Sequence, residues 1–99
     1  MNLLNWLEEW FARNCDGDWE HSQGIRISNL DNPGWSIYIN LEGTSLEEAV
    51  FEPLKIERSE VDWVHCNIQK MIFRGFGGSR NLQELLDIFK QWTESLESK

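Results

Sequence analysis

The sequence predicts an α+β domain: an antiparallel meander sheet of about four strands with N- and C-terminal helices packed on one face. Three observations carry this. The first and last segments repeat apolar residues at helical spacing. The stretch between them alternates apolar and polar residues, as half-buried strands do. A Pro-Gly pair stands between two of the alternating runs, where a hairpin needs a turn. At 99 residues, with no internal repeat or linker, the whole chain (1–99) reads as a single domain.

Residues 2–13 form the first expected helix. Leu3, Leu4, Trp6, Leu7, Trp10 and Phe11 share one face, and Asn2 is placed to cap the start. Gly17 and its polar neighbours end it, so the stretch CDGDWEH, Cys15 to His21, begins as a helix-exit loop and runs into the first strand. Ile25 and Ile27 then alternate with polar residues, as do Trp35, Ile37, Ile39 and Leu41. Between them Asn32-Pro33-Gly34-Trp35 puts Pro at i+1 and Gly at i+2 of a type II turn. Residues 43–51, GTSLEEAVF, read either as a turn with a short strand or as a helical turn, and Pro53 would break both. Two further strands are expected over 54–60 and 61–76, with Gly75, Gly77 and Gly78 ending the last. Residues 82–97 form the second helix, with Leu82, Leu85, Leu86, Phe89, Trp92 and Leu96 on one stripe. Asn81 and Glu84 have the spacing of a capping box. The expected core joins Trp6, Leu7, Trp10, Leu85, Phe89 and Trp92 to Ile25, Ile27, Ile37 and Ile39.

Six tryptophans are many for this length. Trp6, Trp10, Trp19, Trp35 and Trp63 are expected to be structural, together with Pro33 and Gly34 at the turn. Each large indole buries much area and needs a partner for its N–H.

The formal charge is −8, from seventeen acids and nine bases. That opposes direct nucleic-acid binding, which needs a basic footprint, and adsorption to anionic membranes. It suits attraction to a basic protein, although solubility alone is the plainer account. The N-terminal stretch lacks the basic and apolar regions of a secretory signal, and no apolar run is long enough to span a membrane. A cytoplasmic chain is expected, with Cys15 and Cys66 as free thiols.

CDGDWEH offers several chemistries, and each has a competitor. Cys15, His21, His65 and Cys66 are zinc-ligand types, but they lack the usual paired spacing, and His65 and Cys66 would point to opposite faces of a strand. Asp16-Gly17-Asp18-Trp19-Glu20 starts like a calcium loop, but His21 and Ile27 occupy the positions where an EF-hand needs Gly and Glu. No metal and no cofactor is therefore expected. A cysteine nucleophile paired with histidine has no readable oxyanion partner. RGFGGSRN matches neither phosphate-loop pattern. No catalytic residue is assigned, and protein recognition remains.

The chain resembles the immunity protein 53 family of bacterial polymorphic toxin systems. Trp6 and Trp10, CDGDWEH with Gly24 and Ile25, and LDNPGW from Leu30 to Trp35 carry the resemblance. Leu41, Gly43, Thr44, Arg58, Asp62, Trp63 and Cys66 continue it, followed by the glycine turn and the leucine-rich last helix. It covers nearly the whole chain and implies a non-enzymatic antidote, monomeric when free, that binds a cognate bacterial toxin domain. A basic nuclease is among the toxins such a family would meet. The expected contacts are Asp16, Asp18, Glu20 and His21 in the loop, with Glu47, Glu48, Glu57 and Glu60 in the middle segment. For CDGDWEH itself, interface and internal structure remain equal readings. The competing functions are a small acidic adaptor and a metal-dependent enzyme built on the loop.

Overall fold

Asn2 starts the first helix as its sequence position suggests: its side-chain oxygen accepts from the Asn5 N–H at 2.8 Å. The computed structural model describes residues 2–97. In chain order these form α1 (Leu3–Asn14), β1 (Ile25–Leu30), β2 (Gly34–Asn40), β3 (Leu54–Glu57), β4 (Trp63–Gln69), β5 (Ile72–Gly78) and α2 (Leu82–Glu97). The class is α+β, with a five-stranded sheet that is antiparallel throughout.

The extra strand comes from the run 61–76, which folds back on itself. Lys70 and Met71 make the reversal with φ of 55° and 61°. Both sit in the left-handed region that Gly, Asn and Asp normally occupy in a tight hairpin. No turn residue marks this bend, so alternation alone reads straight through it.

The strand order is β1-β2-β5-β4-β3 rather than sequential. The long 41–53 segment carries the chain from β2 to the far edge, and β3, β4 and β5 return step by step until β5 pairs with β2. Gly75 is a paired residue within β5 rather than its end. A Cβ there would lie 2.9 Å from Ile37 and 3.2 Å from Leu85, so the glycine lets α2 settle onto the sheet centre.

The hairpin between β1 and β2 forms, but not through the expected type II turn. Gly34 is the first residue of β2 and pairs with Leu30 and Gly78; the loop is Asp31 to Pro33, and the Asn32–Pro33 peptide is cis. Gly34 does not have the positive φ that a type II turn demands. Its lack of a side chain serves close approach instead, since a Cβ would stand 2.3 Å from the Gly77 carbonyl oxygen.

Both helices lie on one side of the sheet. Phe89 of α2 contacts Phe73 of β5 on one side and Trp6 and Trp10 of α1 on the other, all edge-on. Trp10, Ile37, Ile39, Phe73, Leu85 and Phe89 are fully buried in one cluster. Ile25 and Trp92 pack at its margin. Ile27 does not join it. It faces the helix side beside Ile37 but remains 42% exposed, because β1 is an edge strand beyond the helices' reach. Leu96 ends similarly at 36% exposure, while Thr93 takes the buried place near the end of α2.

Tryptophan indoles tie the loops to this frame. Trp19 donates to the Asn40 carbonyl at 2.9 Å, Trp35 to that of Ser79 at 3.0 Å, and Trp92 to that of Val50 at 3.1 Å. Each bond bridges segments remote in sequence, and the one from the buried Trp19 also satisfies a polar group that would otherwise be costly to bury. The Trp10 N–H and the Thr93 hydroxyl have no hydrogen-bond partner in the described residues.

Candidate functional site

CDGDWEH follows α1 as an exit loop. Trp19 points inward, 5% exposed, and meets Trp10 edge-on at 5.7 Å. The surrounding carboxylates divide into two kinds. Asp16 accepts from the N–H groups of Asp18 at 2.9 Å and Trp19 at 3.0 Å. Glu20 reaches back and accepts from Asp16 N–H at 2.9 Å and Gly17 N–H at 2.8 Å. These bonds close the loop on itself. They also favour the ionised forms. The Trp19 and Asp18 amides hold Asp16 below its ordinary pKa, and backbone donors, its own N–H first, do the same for Glu20. Asp18 and His21 are exposed, and no described hydrogen bond engages either side chain.

The middle-segment acids divide in the same way and do not form one patch. Glu47 accepts from the Gly43 N–H at 3.0 Å, closing the turn after β2, and Glu57 meets His65 at 3.1 Å. Glu48 and Glu60 are exposed, with no described side-chain hydrogen bond. Glu47 and Glu48 lie near the end of α2, where Ser45 bonds Glu97. Glu57 and Glu60 flank Arg58, which bonds Glu84 in the first turn of α2. Those two tie points stand about 20 Å apart along the helix, at ~1.5 Å per residue.

What the fold brings together is the loop and the turn after β2. Asp16, Asp18, Asn40, Glu42 and Gly43 line one shallow depression, and Glu47 closes the same turn. This is an acidic pole. Glu42 belongs to it although nothing in its sequence neighbourhood singles it out; the bonds of Asn40 to Trp19 and Gly24 bring it there.

At the other end of α2 an ion-pair network replaces the expected capping box. Arg58 donates to both Asp62 oxygens, at 3.0 and 2.9 Å, and also to Glu84. Asn81 spends its side chain across the fold: its oxygen accepts from Trp63 N–H at 3.3 Å, and its amide nitrogen donates to Asp62 at 3.0 Å and Glu84 at 3.1 Å. Arg58 first, then Asn81, lower the Asp62 pKa. The result is a structural lock between the 58–62 turn and α2.

The reactive residue types are dispersed. Cys66 is buried in the core, where desolvation first and Glu84 second push its thiol up to about 12, while His65 faces the opposite side of the sheet. Desolvation, then Glu20 and Asp16, raises the exposed Cys15 thiol as well. Both shifts disfavour a thiolate nucleophile. Among the described residues, no group of three His, Cys, Asp or Glu is placed to hold a metal ion. In the same residues, no helix is long and apolar enough to cross a membrane.

No curated protein and no solved structure matches the chain. The family model described as immunity protein 53 matches residues 4–94, which take in all but the first residue of α1, all five strands and most of α2. The acidic pole, the tryptophan-tied loops and the Arg58 lock are therefore features of a chain that belongs to the immunity protein 53 family.

Proposed function

We propose that the chain neutralises a cognate toxin domain of a bacterial polymorphic toxin system by binding it, without chemistry of its own, in the cytoplasm. The family match over residues 4–94 carries this reading. The charge supports a basic partner such as a nuclease: at −8 the chain would speed association with a cationic domain. Occlusion of the toxin's active site or substrate groove is the mechanism, and the free protein is a monomer. Of the loop and middle-segment acids, Asp18, Glu48 and Glu60, with His21, are the side chains available to a partner. Asp16, Glu20, Glu47 and Glu57 already hold the fold's own groups.

The test is co-expression with the toxin domain encoded beside this chain's gene. Cells should survive only when the chain is present. The purified pair should form a complex whose association slows as salt rises from low to about physiological ionic strength, where screening acts over ~8 Å. A chain that binds the domain no better than an unrelated acidic protein sinks the reading.

A further inference from the structure

The side of the sheet turned away from the helices carries ordered cross-strand rows. Arg26, Tyr38, Arg74 and Asn67 are register partners across β1, β2, β5 and β4. In the next row Phe76 and His65 pair across β5 and β4, and Lys55 pairs with His65 from β3. These side chains are held in place. Tyr38 meets Phe76 edge-on at 5.9 Å. The Arg74 guanidinium sits 5.6 Å from the Phe76 ring centroid while its Nε donates to Asn67 at 3.0 Å. The Trp63 and His65 rings meet at a tilt, their centroids 5.0 Å apart.

The charge on this face is opposite to that of the chain. Its strand residues include three cations, Arg26, Lys55 and Arg74, and one carboxylate, Glu57, which already meets His65. Among the described residues none of the three cations is paired with a carboxylate. Seventeen acids against nine bases would make internal pairing easy. Unpaired cations gathered beside half-buried aromatics are instead arranged for something outside the chain. Trp, Tyr and Arg are also the residue types that dominate binding hot spots.

This face is continuous with the acidic pole. One depression holds Arg26, Tyr38, Lys70, Asn40 and Glu42. Asn40 and Glu42 also line the depression that holds Asp16 and Asp18. Acids and cations thus follow one another along a single strip.

We propose that this strip is the toxin-docking surface: Arg26 and Arg74, on either side of Tyr38, seat carboxylates of the toxin domain, while Asp18 and Glu42 meet its cations. The inference rests on the toxin-binding reading above. A strip with both signs fixes the partner's orientation, which a uniformly acidic face cannot do. A protein suits it better than a nucleic acid. A polyanion needs a run of cations and would meet the repulsion of a −8 chain, whereas protein carboxylates can be matched one at a time.

Arg26 lies exposed on the edge strand, where its only described side-chain bond is to Gln23, so Arg26→Glu should leave the fold intact. The probe is the purified toxin domain encoded beside this chain, titrated against wild type, Arg26→Ala, Arg26→Glu and Arg74→Ala with thermal melts alongside. Charge reversal at Arg26 should weaken binding by about tenfold or more, and by more than Arg26→Ala does, at an unchanged melting temperature. Arg74→Ala should weaken it as well. Wild-type affinity in both Arg26→Glu and Arg74→Ala overturns the docking surface while leaving toxin binding standing. No binding by wild type overturns both readings. A labelled single-stranded RNA that binds wild type and is lost in Arg26→Glu, with toxin binding intact, would assign the face to nucleic acid and overturn the inference.

Discussion

Two acid-rich loops lie at opposite ends of the molecule and are built by different means. CDGDWEH is closed by its own carboxylates, with Asp16 and Glu20 each bonding amides no more than four residues away. The 58–62 turn also contains a local pair, Arg58 with Asp62, but is anchored through Glu84 of α2 and Asn81 just before it, some twenty residues later. Both loops are exposed and both are rich in charge. The first needs only a helix exit and one tryptophan to pin it. The second takes its position from α2. The comparison teaches that an exposed carboxylate is not thereby available to a partner. In each loop some acids are consumed by structure, and one stands free: Asp18 in the first, Glu60 in the second.

The largest expected effect is at the pin of the first loop. Trp19→Ala removes a buried indole, its contacts with Trp10 and Phe11, and its bond to Asn40. Chemical denaturation should show a loss of about 3–5 kcal/mol. A variant of near-wild-type stability would mean that the local carboxylate bonds hold the loop without the core, and the comparison would need redrawing.

Asn81→Ala is the corresponding cut in the second loop. It leaves the Trp63 N–H without its partner and takes donors from Asp62 and Glu84. A destabilisation of about 1–3 kcal/mol should appear in urea unfolding with the slope unchanged. An effect confined to α2's local helicity would show that Asn81 acts as an ordinary cap after all.

The smallest effects separate neighbours within CDGDWEH. Asp16→Ala and Glu20→Ala should each lower the melting temperature by a few degrees at neutral pH, whereas Asp18→Ala should leave it unchanged. Acid titration sharpens this. Asp16, Glu20 and Asp62 all have folded pKa values depressed from ordinary values of 3.8, 4.5 and 3.8. Their stabilisation is therefore present above those values and is lost as pH falls through the lowered folded ones. Melts of wild type and of the Asp16→Ala, Glu20→Ala double variant should differ at neutral pH and converge in strong acid. A gap of constant size down the titration would show that the carboxylate charge is not what closes the loop.

What the sequence determined by itself is what short-range physics fixes. The Asn2 cap and the helical stripes located α1 and α2, because apolar period and capping are settled within a few residues. Alternation located β1 and β2, and the inward set of Ile37, Ile39 and Phe89 followed from which side each residue must face. CDGDWEH was legible as a loop around a packed tryptophan, but its division into bonded and free carboxylates was not, since composition says nothing about which amides each acid reaches. Tertiary structure alone decided the rest. A hairpin reversal at Lys70 and Met71 carries no turn residue and is imposed by the pairing of β4 with β5. Gly34 is a glycine because β5 passes against it, and Ile27 stays exposed because the helices do not extend over β1. Asn81 and Glu84 have the spacing of a cap, yet Arg58 and Asp62 arrive from a distant turn and claim them. The strand order sets Arg26 beside Tyr38 and Tyr38 beside Arg74, and so gathers cations from separate strands onto one open face. Pattern along the chain tells each residue which side to face; only contact between distant segments decides what it finds there.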